Sequence, residues 1–197
     1  EIDSNNQDSK PTADTFFIDQ LEFNIKAQFN EKNHRSRSVT DIELNWDILL
    51  KALNFPNDSN DEMGFMAMNI ANRNKPIADL LRASEDFLNL LAQDGVYLDD
   101  LNFDQPSVEA WRNFSSIDRS MPGKKLQCIG IERHIDMLRM RIKSDTIFRD
   151  CALILIRRFD KLLKEKLSAA TDQQVFTISS TRTGKAFLII GEISGVF

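Results

Sequence analysis

The sequence predicts an all-α protein, an irregular or orthogonal bundle of about seven to nine helices around a central buried helix near residues 146–167. Three observations carry this. Apolar residues recur at spacings of three and four along most of the chain, the period of a helix face and not of a strand. Residues able to cap a helix stand directly before those stripes. The 197 residues include only 7 Gly and 5 Pro, few for a turn-rich chain. The alternative left open is a helical protein that ends in a β-hairpin at 175–190.

Residues 1–11 are polar and predict a disordered tail, and 12–197 predict a single helical domain. Phe17, Leu21, Ile25 and Phe29 recur every four residues, with Ile18 adjacent, and predict the first helix. A flexible connector is expected over 30–39. Thr40 and Glu43 have capping-box spacing, in which the hydroxyl and the carboxylate satisfy free N–H groups at a helix start. Ile42, Trp46, Leu49, Leu50 and Leu53 follow as a stripe. Ser59 and Glu62 repeat the box before Met63, Met66, Ala67 and Ile70.

Pro76 suits a first helical turn, where its missing N–H is harmless. The stripe Ile77, Leu80, Leu81, Phe87, Leu88, Leu91 then runs to Gly95, a left-handed stop. An acidic loop over 97–106 carries Asp99, Asp100 and Asp104. Pro106 introduces a short helix through Val108, Trp111 and Phe114, and 121–123 forms a turn. Ile131, Ile135, Leu138 and Ile142 mark the next helix.

Asp145 is the expected N-cap of the central helix. Its main stripe is Phe148, Ala152, Leu155, Phe159, Leu162 and Leu163. Leu153, Ile154 and Ile156 carry apolar character around most of the cylinder, which predicts enclosure on most sides. Its second half is amphipathic, with Asp160–Lys164 and Lys161–Glu165 one turn apart. At the C-terminus, VFTIS and AFLII have the β-propensity of a hairpin. Thr171 and Gln174 form a capping box, however, and Phe187, Ile190 and Ser194 fit a helix face, so two helices are preferred. Gly191 and Gly195, four apart, predict a close helix contact.

Charge is divided along the chain. Residues 1–118 hold 10 basic and 22 acidic residues, and 119–197 hold 15 and 8. Either the halves attract one another in the fold, or the basic half faces an acidic partner. No apolar run approaches the roughly 18 residues that span a bilayer, and no secretory signal is visible. Cys128 and Cys151 are too few for a disulfide framework and read as buried thiols, so a cytoplasmic location is expected.

Motifs with known chemistry fail on inspection. Thr183-Gly184-Lys185 ends like a phosphate-binding loop, but the required earlier glycine is Ser179. Glu31 and His34 have di-iron spacing without the second motif. Cys128, His134 and Asp136 match no zinc pattern. Asp58, Asn60 and Glu62 open like a calcium loop that never closes. Cys128 with His134 is the one nucleophile–base pair to consider, and Asp99 with Asp100 the one carboxylate pair, each without further support. No catalytic residue, cofactor or metal is therefore expected.

Two segments remain. Residues 119–143 concentrate Arg119, Lys124, Lys125, Arg133, Arg139, Arg141 and Lys143. The acidic loop mixes Tyr97, Leu98, Leu101 and Phe103 with Asp99 and Asp100. These predict a non-catalytic interaction, regulatory or adaptor protein acting through charged patches. The expected contacts are Arg133, Arg139, Arg141, Lys124, Lys125, Asp99, Asp100 and Phe103. The expected partner is another protein, and a homo-oligomer stays open. The alternative is a nucleic-acid-associated factor using the basic helix 131–143.

YLDDL at 97–101, FRDCALILIRRFDKLL at 148–163 and TRTGKAFLIIGEISGVF at 181–197 together resemble a small, uncharacterised helical protein type of alphaproteobacteria. The resemblance covers roughly 77–197 and leaves out 1–60. It implies a bacterial cytoplasmic protein with a helical C-terminus, and no activity or site.

Overall fold

A computed structural model of the chain describes residues 44–101, 104–116, 126 and 132–195, without the side chains of Glu132 and Arg133. These residues fall in one compact unit. Among them are eight α-helices and no strand: α1 (Trp46–Asn54), α2 (Glu62–Ala71), α3 (Lys75–Gln93), α4 (Val108–Ser115), α5 (Glu132–Ser144), α6 (Thr146–Lys166), α7 (Asp172–Ser180) and α8 (Arg182–Ser194). Short 3-10 turns follow α3 at Leu98–Asp100 and α6 at Leu167–Ala169. The expected tail over 1–11, the helix over 12–29, the connector over 30–39 and the Thr40 capping box lie outside the described residues. No helix among the described residues is long and apolar enough to cross a membrane.

Caps set most helix starts. Asn45 caps α1, accepting from the Asp47 N–H at 3.1 Å. Asp61, not Ser59, caps α2. Its carboxylate accepts from the N–H groups of Gly64 (2.8 Å) and Asn57 (3.1 Å) and lies 3.3 Å from Lys51 Nζ. Burial pushes this carboxyl up in pKa, but the two N–H groups and Lys51 more than offset it, so it titrates below the usual carboxylate range. Asn74 caps α3, with Pro76 in its first turn, and Gly95 beyond its end has φ 72°, the left-handed stop.

The C-terminus is helical, not a hairpin. Both halves of the Thr171–Gln174 capping box form, at 3.2 and 2.9 Å. Thr181 alone joins α7 to α8: it closes the first helix and caps the second, accepting from the Gly184 N–H at 3.0 Å. The junction is tight enough that a Cβ on Gly184 would sit 2.0 Å from the Ile178 carbonyl oxygen. Gly191 is buried, but Gly195 is an exposed left-handed terminator (φ 68°) with open space around it, so Gly195 takes no part in a close helix approach.

Helix α6 starts at its predicted cap, with Asp145 accepting from Ile147 and Phe148 N–H groups at 2.9 and 3.1 Å. All six residues of its predicted stripe are buried. It packs against α3, α4, α5 and α8. Asp79 of α3 pairs with Arg158 (3.0 Å) and Phe87 meets Phe148 (ring centroids 5.1 Å), so α3 and α6 run antiparallel. Enclosure on most sides is corrected, however: Leu153 and Ile154 are 36% and 47% exposed. The most enclosed helix is α8, where Thr183, Gly184, Ala186 to Gly191 and Ile193 are all buried. It meets α1, α3, α5, α6, α7 and the first 3-10 turn, which leaves almost no side for water.

The aromatic core gathers on Phe187 of α8. Its ring lies 4.7 Å from Phe159, 5.9 Å from Trp111 and 5.7 Å from Phe114, centroid to centroid. Full burial of Phe187 and of Phe159 stabilises the fold by about 1.5–3 kcal/mol each. Arg112 of α4 ties down the α6–α7 connection. It donates to the Leu167 and Ala170 carbonyls at 3.3 and 2.9 Å and to Asp172 at 2.6 Å.

Candidate functional site

The acidic loop is fixed to the bundle by a residue that sequence reasoning passed over. Arg182, the first residue of α8, donates from Nη2 to Asp99 Oδ2 at 2.7 Å and from Nε to Oδ1 at 3.3 Å. From Nη1 it donates to the carbonyl oxygens of Asn54 (3.2 Å) and Pro56 (3.0 Å). Beside it, Thr183 Oγ1 donates to the Leu53 carbonyl at 2.7 Å. One end of α8 thus joins the end of α1, the following loop and the 3-10 turn. In that loop Phe55 has φ 60°, a left-handed conformation that a side chain rarely adopts. It is the one non-glycine residue among those described with positive φ. The bonds from Arg182 to its neighbours on either side hold it there.

A cation at the first position of a helix is disfavoured by the positive end of the helix dipole. An arginine placed there needs a carboxylate from elsewhere, and that was the legible signal. Asp99 supplies it, and the hydrogen bond from Arg182 holds its carboxyl below the usual range against the opposing effect of burial.

The 3-10 turn alternates in what it shows to water. Leu98 is buried, Asp99 is held by Arg182, and Tyr97 and Asp100 project, Tyr97 being 56% exposed. Of the acidic-loop contacts expected from the sequence, Asp100 is at the surface, Asp99 is engaged within the fold, and Phe103 lies outside the described residues.

Of the basic contacts expected from the sequence, Arg139 and Arg141 have described side chains, and both are engaged within the fold. Arg139 pairs with Glu192 of α8 at 2.9 Å. Arg141 pairs with Asp94, and with Asp145 at 3.2 Å. It also donates to the Leu90 carbonyl at 3.1 Å, and its guanidinium lies 4.8 Å from the Phe148 ring centre. The hydrogen bond to Asp94, with that to Asp145, raises its pKa further above the ordinary arginine value. Both arginines therefore form ion pairs within the fold; Arg141 is largely covered, while Arg139 keeps 43% of its side chain exposed. Lys124, Lys125, Cys128 and the side chain of Arg133 lie outside the described residues.

Several ion pairs join the two halves of the chain. Arg141–Asp94, Arg158–Asp79 and Arg182–Asp99 each join the basic later part of the chain to the acidic earlier part. Among the described residues, no group of three or more His, Cys, Asp or Glu side chains could hold a metal ion. Cys151 is half-buried, and burial pushes its thiol up in pKa, away from the reactive thiolate. Compared with known proteins, the chain matches no family model, no curated protein and no solved structure.

Proposed function

We propose that this is a non-catalytic interaction protein that binds another protein through the surface carrying Tyr97 and Asp100. One observation carries the reading: a phenol ring and a carboxylate project on either side of two residues that pin the backbone, buried Leu98 and Asp99 in its pair with Arg182. A pre-fixed tyrosine offers a large amphipathic contact and loses little freedom when it binds. The partner that fits is a protein with an apolar pocket rimmed by Lys or Arg. The same proposal places the protein in a bacterial cytoplasm.

The nucleic-acid reading has less support, because Arg139 and Arg141 are already neutralised by carboxylates within the chain. Affinity capture followed by mass spectrometry tests the proposal. The wild-type chain is expected to retain a partner that Tyr97→Ala and Asp100→Lys both release. Identical capture by all three chains sinks it. Nucleic acid retarded at low salt by the wild type, and released by added salt, would move the conclusion to the other reading.

A further inference from the structure

The outward side of α6 carries an apolar strip that no other described residue covers. Ile147 is 69% exposed and Ile154 47% exposed, and neighbouring Leu153 is 36% exposed. Ile147, Asp150, Ile154, Arg157 and Lys161 follow one another at alternating spacings of three and four residues, so they form one seam along the helix. This is the repeat with which two helices lie side by side.

The charges on the seam specify what covers it. Asp150 stands one turn before Ile154, and Arg157 nearly one turn after it. Both are exposed, and neither has an ion-pair or hydrogen-bond partner among the described residues. The neighbouring cations are occupied: Arg158 by Asp79 at 3.0 Å and Lys164 by Asp160 at 2.7 Å. A parallel copy of the seam would set Asp150 against Asp150 and Arg157 against Arg157. A reversed copy sets each Asp150 against the other chain's Arg157, twice, with the isoleucines meeting between them. Ile147 then falls beneath the aliphatic stem of the opposite Lys161, whose charged head stays in water. Self-complementarity of this kind is the signature of a two-fold interface.

We propose that the outward face of α6 pairs antiparallel with the same face of a second copy of this chain, about a two-fold axis near Ile154. The contact is one helix wide, so it is a small interface and association is weak, in the micromolar range or above. It is separate from the Tyr97 surface and stands or falls independently of it.

Sedimentation of the full chain from about 5 to 500 μM tests the proposal. Wild type is expected to pass from monomer to dimer over that range. Asp150→Arg and Arg157→Asp should each weaken dimerisation about tenfold or more, because each creates like-charge pairs. The double variant, with the charges exchanged, should return to within about threefold of wild type. Ile154→Gln should weaken dimerisation while leaving the helical circular dichroism unchanged, since the residue lies on the surface. Tyr97→Ala should have no effect. A chain that stays monomeric throughout, or dimers indifferent to the single charge reversals, or single defects that the double exchange does not rescue, would overturn the proposal.

Discussion

The Arg182 guanidinium holds the Asp99 carboxylate at 2.7 Å and, with its other amino group, the carbonyl oxygens of Asn54 and Pro56. The two partners of this ion pair are not equivalent. Asp99 is 64% exposed and Arg182 only 20%. Removing the carboxylate loses a solvated pair, whereas removing the arginine also takes the donor from the carbonyls of half-buried Asn54 and Pro56. Arg182→Ala is therefore expected to lower unfolding stability by about 2 kcal/mol, and Asp99→Ala by under about 1 kcal/mol. Urea denaturation of the two variants checks the order. Equal losses would mean that the carbonyl bonds contribute nothing.

Acid should unfold the protein through the same carboxylates. Asp99, Asp61 and Asp145 all titrate below the usual carboxylate range in the folded chain, Asp145 through the N–H groups that it caps together with Arg141. A depressed folded pKa contributes stability that is present above the unfolded value, about 3.9, and is lost as pH falls through the folded value. Stability should thus stay flat from about pH 7 to 5 and fall below about pH 4. Asp61→Asn should give a shallower acid slope than wild type in denaturation followed by circular dichroism. Arg141 shifts the other way, and its contribution is lost only in strong alkali.

Gly184 and Gly195 should respond differently to alanine. At Gly184 the new Cβ meets a carbonyl oxygen at 2.0 Å within the α7–α8 junction, and backbone must move. At Gly195 the space is open, and only the left-handed φ of 68° is strained. Gly184→Ala is expected to cost about 3 kcal/mol or more, and Gly195→Ala about 1 kcal/mol. Thermal unfolding should show the larger fall in Tm for Gly184→Ala.

Two buried hydroxyls make a matched pair. Thr183 Oγ1 donates to the Leu53 carbonyl at 2.7 Å, whereas Ser84 Oγ is fully buried with no hydrogen-bond partner among the described residues. Thr183→Val keeps the shape and strands the carbonyl, so it should destabilise by about 1–3 kcal/mol. Ser84→Ala removes an unsatisfied group and should be neutral or stabilising by up to about 1 kcal/mol. Chemical denaturation of both variants measures the contrast.

What the sequence made legible was local. The stripe and cap of α6 follow from helical period and from an aspartate placed before it, and both need only neighbours in the chain. The Thr171 capping box settled the C-terminal helices for the same reason. The N-cap of α2 misled because Ser59 and Asp61 are both good caps two residues apart, and the choice between them was made by Lys51 and Asn57. The enclosure of α8 was hidden because helical period reports one face, while water is excluded here by five other helices. The arginines of α5 misled because a run of charge does not disclose a carboxylate some fifty residues away, as Glu192 is from Arg139. The exposed half of the acidic loop, Tyr97 and Asp100, was visible as composition. Arg182 at a helix start signalled the need for a carboxylate, but not that Asp99 would supply it.

The position of α8 also orders how the protein comes into being. It follows in the chain every helix that it joins, so a growing polypeptide leaves the ribosome with the inner faces of α1, α3, α5 and α6 finished but lacking the piece that fits among them. Until α8 emerges those faces are sticky, and nascent chains stalled before it should be substrates for chaperones and proteases, released only when α8 slots in.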